Sequence, residues 1–327
     1  MRRFDPKTIP LPELQEIILC GVGPRPIALV STLSSKGEPN LAPFSFFNAF
    51  SANPPVIVFS PARRGRDGST KDTYENLLET RECVVHAVTY DIVEQVNIAS
   101  AEFDRGINEF TKSGLTAIDS ELVKAKRVKE SPFHMECRLK EMIPLGNGKG
   151  SGNLAICEVV LFHVAEKVLQ GDKIDPLRMD LAARNGGAYY TRSYTASLFS
   201  LPKPKSKNII GYDGLPAFIK KSHVYSANDL ARLANTEALP SREEVHQWSE
   251  KIKKIKGNSQ TWFVSFDRFA KKGLCEKMFA VAFALHKKKS KKAGACFEKT
   301  AAIALKQGNL SLAWTAALYM HYFPLSS

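Results

Sequence analysis

The sequence lacks any apolar run long enough to cross a membrane as a helix. Its longest strongly apolar stretch near a helical segment is MFAVAFALH, far shorter than the roughly 20 residues that a span needs. The N-terminal segment MRRFDPKTIPLPELQE contains arginines, but no apolar run follows them, which argues against a secretory signal. We therefore expect a soluble, cytoplasmic protein with no membrane partner.

Cysteine is scarce, and its placement excludes the common cysteine-based sites. The chain has six cysteines, none of them in a C-x-x-C pair or in a Cys/His cluster with zinc spacing. Cys83, Cys137 and Cys157 lie within apolar, strand-like segments. We expect reduced, buried thiols and no metal site.

The common nucleotide-binding and catalytic motifs are also missing. The sequence contains no Walker loop, no G-x-G-x-x-G, no H-E-x-x-H and no G-x-S-x-G. A nucleotide-like cofactor would therefore have to bind without its usual phosphate loop.

The first two thirds of the chain have the residue pattern of strands. Segments rich in Val and Ile, or alternating with period two, predict strands at 27–32, 55–60, 83–89, 134–145 and 154–169. Only two helices, at 71–82 and 91–103, interrupt them. Many strands with few helices predict a mainly β domain over residues 1–200, folded as a barrel or closed sheet.

The last third has helical periodicity and most of the positive charge. The proline- and lysine-containing segment 201–212 is predicted to be a linker, and residues 213–327 a smaller all-α domain of about five helices. Ser226 and Ser241 have the spacing of capping boxes. Of the net charge of +13, this domain carries +10. Its lysine runs KIKKIKG and HKKKSKKAG indicate either a solvated face or a surface for nucleic acid or an acidic protein.

Three polar segments of the β region together suit an anionic, aromatic ligand. Hydroxyls, a cation and a helix start suit a phosphate, whereas an apolar wall with a few polar groups suits a flat ring. Helix capping, ordinary core packing and turn formation are the structural alternatives. The candidate residues are Ser31 and Thr32 at the end of a strand, Ser45, Phe46, Phe47 and Asn48 before a double proline, and Lys71, Asp72 and Thr73 at a helix start.

Longer strings of these segments resemble one family. RPIALVST, NLAPFSFFNAFSANPPVIVFSP and KDTYENLLETRECVVHAV, in this order, are similar to the flavin-reductase-like family, whose fold is the FMN-binding split barrel. SPFHMECRLKE, LAICEVVLFHVAE and DLAARNGGAYYTRS continue the resemblance, which covers nearly all of residues 10–195.

The resemblance implies bound FMN, a homodimer, and roles for the candidate residues. Ser31 and Thr32 would face the ribityl-phosphate end, residues 45–48 would line the isoalloxazine, and residues 71–73 would hold the phosphate. Asn76 would lie near the phosphate, and Arg184 and Tyr189 would pack near the site. The histidine-glycine element that some members use with NAD(P)H is missing, and His163 is interpreted as a structural histidine.

These inferences predict an FMN-dependent oxidoreductase that acts on a small molecule or a redox partner protein, with NAD(P)H as a possible electron donor. One alternative is a non-enzymatic flavin-binding protein whose basic helical domain docks a protein or nucleic-acid partner. A nucleic-acid-binding protein with a degenerate barrel is the third hypothesis, and it predicts no bound flavin and salt-dependent binding.

Overall fold

The computed structural model describes residues 1–204, 206–252, 255 and 258–325. The chain divides into two compact units, Met1–Ser200 and Leu201–Ser327. Most lysines of the KIKKIKG run, namely Lys253, Lys254 and Lys256, lie outside the described residues. None of the described helices is long and apolar enough to cross a membrane.

The first unit consists mainly of strands, with four α-helices among the described residues. Its strands are β1 (Arg25–Pro26), β2 (Ala28–Leu33), β3 (Pro39–Phe44), β4 (Phe47–Ala52), β5 (Pro55–Phe59), β6 (Glu82–Ala87), β7 (Ala117–Ile118), β8 (Arg127–Val128), β9 (Phe133–Pro144), β10 (Asn153–Val164), β11 (Leu169–Gln170), β12 (Lys173–Ile174), β13 (Leu181–Arg184) and β14 (Tyr190–Ser193). Its helices are α1 (Leu11–Gly21), α2 (Asp72–Thr80), α3 (Val93–Ala99) and α4 (Glu109–Ser113).

Seven strands form one antiparallel sheet in the order β3-β2-β6-β9-β10-β5-β4. Register shifts in the long β9–β10 pair and in the β4–β5 pair mark bulges, which bend strands and increase their twist. The two edge strands, β3 and β4, follow each other in the chain with only Ser45 and Phe46 between them. These two residues therefore lie where the edges of the curled sheet come together.

Strand alternation divides the buried residues of the sheet between two cores. On β2, Ala28 and Val30 pack into the core enclosed by the sheet. Ile27 and Leu29 pack on the other side with residues of α3 and α4. A separate three-stranded sheet, β1-β13-β14, completes the unit. The predicted mainly β fold with few helices is confirmed.

The second unit contains helices and no strand among its described residues. Its helices are α5 (Ala217–Lys220), α6 (Ala227–Ala234), α7 (Arg242–Glu250), α8 (Ser259–Lys271), α9 (Cys275–Lys287), α10 (Ala293–Lys306) and α11 (Leu310–Tyr322). The predicted capping boxes at Ser226 and Ser241 are both present. Phe279, Phe297 and Tyr319 pack ring against ring at the centre of the core, with centroids 4.6–5.7 Å apart.

Several local predictions need correction. The helical unit has seven described helices rather than about five, because α5 and α8 were not predicted; α5, with four residues, is too short to show a period. The helix predicted over 91–103 is α3, which ends at Ala99, where the Ser100 hydroxyl donates to the Asn97 carbonyl. Five cysteines are buried as expected, but Cys20, near the end of α1, is exposed.

Candidate functional site

The loop between β5 and α2 gathers cations at the start of a helix. Lys71 is the N-cap residue of α2, and its extended backbone leads into the helix without a side-chain cap. The Arg64 guanidinium holds this loop in place, because it donates to the Ser69 hydroxyl at 3.2 Å and to the Thr70 carbonyl. Backbone N–H groups at a helix start, together with adjacent cations, are the usual components of a phosphate site.

The Lys71 ammonium is desolvated and lacks a carboxylate partner. Within the described part of the chain no carboxylate lies within 4.0 Å of it, whereas Arg64 is 4.0 Å from Glu102. Burial, and secondly the charge of Arg64, lower the pKa of Lys71, and only Glu102 acts in the opposite direction. A half-buried cation beside another cation is stabilised when an anion binds.

The candidate residues Thr32, Thr73 and Asn76 form a buried polar network with Asn40. The Asn40 amide donates to the Thr73 hydroxyl at 2.9 Å and to the Thr32 hydroxyl at 3.2 Å. The Asn76 amide also donates to Thr32, at 3.0 Å. All four side chains are buried, so these hydrogen bonds fix α2 against β2 and β3.

Ser31 lies on the opposite face of β2 from Thr32, as strand alternation requires. Its hydroxyl is buried and donates to the carbonyl of Lys126. The structure therefore does not bring the two hydroxyls together on one ligand.

Asp72 is the first residue of α2, where its negative charge complements the partial positive charge of the helix start.

The segment 45–48 divides between two cavities. Ser45 accepts a hydrogen bond from Arg25 at 3.4 Å and lines a small cavity of about 210 Å³. Phe46, 41% exposed, lies 5.9 Å from the Arg25 guanidinium. Phe47 and Asn48 line a separate apolar cavity of about 720 Å³.

Residues that are close in sequence connect the small cavity with the loop at Lys71. Its polar lining residues are Ser45, Asn97, Ser100, Arg184 and Tyr190. The Lys71 ammonium is 5.8 Å from the ring of Phe44, the neighbour of Ser45, and Glu102 beside Arg64 follows Ser100 by two residues. We call these residues, from Arg64 and Lys71 to Ser45, Asn97 and Ser100, the polar groove.

Sequence reasoning missed Arg64, Asn97 and Ser100. Arg64 belongs to the turn RRGRDGS, where glycine and charge indicate a solvated loop, and Asn97 and Ser100 lie at the end of an amphipathic helix. Only the capping-like Ser-Thr-Lys-Asp-Thr run next to an arginine-rich turn could have drawn attention to Arg64.

A row of histidines on β6, β9 and β10 is structural. His86, His134 and His163 are register neighbours on these strands. His163 Nε2 lies 2.7 Å from the buried carboxylate of Glu136, as expected for a structural histidine. Burial alone would raise the pKa of Glu136, but backbone N–H groups of Glu121 and Leu122, and His163, hold it below its usual value. Burial, followed by the charge of His134, lowers the pKa of His86 to about 3.

The antiparallel fold of the first unit matches that of a flavin reductase with a split barrel domain, and the chain belongs to the flavin-reductase-like family. The model of the flavin reductase like domain matches residues 21–196. The family resemblance inferred from the sequence strings is thereby confirmed.

Relatives in two bacteria match between 55% and 62% of the chain. The uncharacterized protein BH2278 of Halalkalibacterium halodurans is 35% identical over 204 residues, which cover 62% of this chain and 96% of the relative. An uncharacterized protein of Aquifex aeolicus is 37% identical over 182 residues, which cover 55% of this chain and 90% of the relative.

Solved structures show the same split barrel. Nitrilotriacetate monooxygenase component B from Bacillus cereus is similar with a TM-score of 0.58 and 32% identity, covering 62% of this chain and 98% of that one. The 2-nitrobenzoate 2-nitroreductase of Pseudomonas fluorescens has a TM-score of 0.53 and 27% identity, covering 62% of this chain and 96% of that one.

Proposed function

We propose that the first unit binds FMN and works as an FMN-dependent oxidoreductase. The observation that carries this proposal is the cation-rich start of α2. The described loop places Arg64 beside Lys71, and a phosphate would neutralise both. FMN has a single phosphate group and therefore needs only this one anion site. A dinucleotide would also need space for its adenosine half.

The residues along the polar groove fit the rest of the cofactor. Ser45, Asn97 and Ser100 offer hydrogen-bond partners for the hydroxyls of a ribityl chain. The backbone at Ser45 and Phe46, where the two sheet edges meet, would border the isoalloxazine edge. Bound flavin supplies hydride and electron transfer, and the protein supplies its position and electrostatic environment.

The family and two solved structures support an oxidoreductase function. One structural neighbour is named a monooxygenase component and another a nitroreductase. We propose a small-molecule or protein electron acceptor, with NAD(P)H as the donor. We also propose a homodimer, because β4 is an edge strand whose Phe50 is 69% exposed.

The test is the visible spectrum of the purified full-length protein and of a fragment of residues 1–200. We expect flavin bands in both, with FMN released on denaturation, because the relatives named above extend little beyond this matched part. NADH or NADPH oxidation with an electron acceptor then measures turnover. Colourless proteins that do not take up added FMN would refute the proposal.

A second candidate function is docking of a polyanion on the helical unit, and one lysine cluster favours it. Lys287, Lys288, Lys289, Lys291 and Lys292 are all exposed around the turn between α9 and α10. Lys289 follows the end of α9 and has a left-handed backbone conformation, with φ 54°. Glycine is the residue usually found in this conformation at helix ends. Lys292 is the N-cap of α10, where the partial charge of the helix end is positive and a cation is unfavourable. The first turn of α10 has no acidic residue that would compensate this lysine.

Neutralising this lysine cluster should weaken binding to a single-stranded oligonucleotide. We expect full-length protein to bind it with an affinity that falls steeply between 50 and 200 mM salt, roughly as one power of salt concentration per phosphate contact. A variant with glutamine at the five positions should lose at least about tenfold. Salt-independent binding, or equal binding by the variant, would assign the cluster to a solvated surface.

A further inference from the structure

One face of the β13–β14 hairpin is basic and aromatic. Arg184 lies opposite Tyr190, and Ala182 lies opposite Arg192, so these four side chains share one face. The face looks across a cleft of about 550 Å³ to Tyr90 and the α3 residues Val93, Glu94 and Asn97. Its size falls within the range of small-molecule sites. We call it the Arg184 cleft.

The charge of Arg184 is not neutralised by the protein. Its guanidinium donates to the Gly187 carbonyl at 2.7 Å, and no carboxylate of the described residues lies within 4.0 Å of it. The other N–H groups of this planar fork are therefore available to a ligand.

A second, buried arginine strengthens the positive potential at this point. Arg25 is only 5% exposed, and it donates to the carbonyls of Leu19 and Asn185 rather than to a carboxylate. Burial, followed by the charge of Arg184, lowers the pKa of Arg25. Two neighbouring guanidinium groups without an acid are destabilised by repulsion, which an anion in the cleft would relieve.

Arg192 differs from Arg184 although both line the cleft. Both Asp180 oxygens accept hydrogen bonds from it, at 2.7 Å each, and its guanidinium lies 3.8 Å from the centre of the Tyr90 ring. Arg192 is therefore a fixed part of the wall, whereas Arg184, 4.6 Å from the Tyr190 ring centre, is the unpaired cation of the hairpin.

The cleft opens directly onto the polar groove. Asn97, Arg184 and Tyr190 line both the cleft and the small cavity, so a ligand in the cleft would touch the space assigned to FMN. Glu94 on the opposite wall adds one negative charge, which disfavours a second anionic group at that end.

We propose that the Arg184 cleft binds the oxidoreductase substrate, a small planar molecule that carries one carboxylate. The Arg184 fork takes the carboxylate, and the Tyr90 and Tyr190 rings flank the planar part. This inference rests on the proposed FMN-dependent function, since it assigns the substrate class of the same site.

Calorimetric titration of the full-length protein with benzoate and with its neutral isostere benzamide tests the assignment. We expect benzoate to bind more tightly than benzamide, and Arg184→Gln to weaken benzoate about 10- to 100-fold while benzamide changes little. Glu94→Gln should strengthen benzoate binding about twofold. The matched control is Arg178→Gln, because Arg178 pairs with Asp175 outside the cleft.

FMN content, measured on the same samples, separates this inference from the proposed function. Equal binding of benzoate and benzamide, or unchanged benzoate affinity in Arg184→Gln, would overturn the inference. A loss of FMN in Arg184→Gln would also overturn it, because Arg184 would then belong to the flavin site. If no sample contains or takes up FMN, the proposed function fails, while the titration still decides whether the cleft selects carboxylates.

Discussion

Replacing Arg64 and Lys71 together by alanine should weaken FMN binding at least about 100-fold. Hydrogen bonds from charged donors contribute roughly 1.5–3 kcal/mol each, and a factor of ten in affinity corresponds to about 1.4 kcal/mol. The Lys71 ammonium is already desolvated beside Arg64, so little further dehydration opposes its contact with a phosphate. Fluorescence quenching of added FMN by flavin-free protein measures the dissociation constant.

The matched control removes two positive charges elsewhere on the same unit. Lys124 and Lys129 are exposed and lie outside the polar groove. Lys124→Ala with Lys129→Ala should therefore retain FMN affinity within about twofold, since surface charges at a distance are screened by salt. Equal losses in the two double variants would mean that net charge, rather than a phosphate site at α2, governs binding.

Riboflavin, which lacks the phosphate, gives an independent check on the same variants. Its affinity should not differ between the parent protein and the Arg64→Ala, Lys71→Ala variant, because both changes act on a group that riboflavin lacks. A parallel loss of riboflavin binding would indicate that the loop supports the ring or the fold instead.

The candidate residues illustrate what residue type and order can reveal about a site. Lys71 was predictable because a lysine immediately before a helix combines a cation with unpaired backbone N–H groups. Arg64 was not, because its role depends on a loop that folds back so that its guanidinium meets Ser69 and Thr70. Such a loop contact produces no periodic pattern in the sequence.

Hydroxyl residues near a predicted site are harder to interpret than cations. Thr32, Thr73 and Asn76 have the polarity expected of phosphate contacts, yet their side chains bond to each other or to Asn40. The sequence shows that they are polar but not that Asn40 lies between them. This network stabilises the start of α2, which carries the proposed site.

The fold was more predictable than the site because it depends on repetitive patterns. Period-two segments located β2, β5, β6, β9 and β10, the strands that surround the enclosed core. The two-residue strand β1 and the short helix α5 were missed, since neither is long enough to show a period. Short elements depend on tertiary contacts, such as those of Arg25 with the β13–β14 hairpin.

Acidification from pH 6.5 to 4.5 should lower the free energy of unfolding of the first unit by about 2 kcal/mol through His86 alone. Its pKa is lowered to about 3 in the folded protein, so it stays neutral, whereas the unfolded chain binds a proton below about pH 6.5. The unfolded state binds more protons between pH 6.5 and 4.5. The free energy of unfolding therefore decreases as the pH is lowered, by up to about 1.4 kcal/mol per pH unit. His134, whose pKa burial also lowers, acts in the same direction.

Urea unfolding of the full-length protein at several pH values measures this slope. Circular dichroism of the strands follows the first unit, while tryptophan fluorescence follows the second, because all three tryptophans lie there. The His86→Gln variant should be less stable at pH 7. Its free energy of unfolding should decrease less steeply on acidification, by the slope that corresponds to about one bound proton. An unchanged slope in this variant would show that another group titrates.

The hydrogen bonds of His86 explain why acid should act through this residue. Its Nδ1 lies 2.8 Å from the Leu29 carbonyl and donates to it, and its Nε2 accepts the Val128 N–H at 3.0 Å. A second proton would have to enter at Nε2, where it would displace that N–H within a fully buried environment. Protonation of His86 in the folded protein would require β8 to separate from β6, and this cost keeps its pKa low, so that acid favours the unfolded chain, in which the histidine is free to bind a proton.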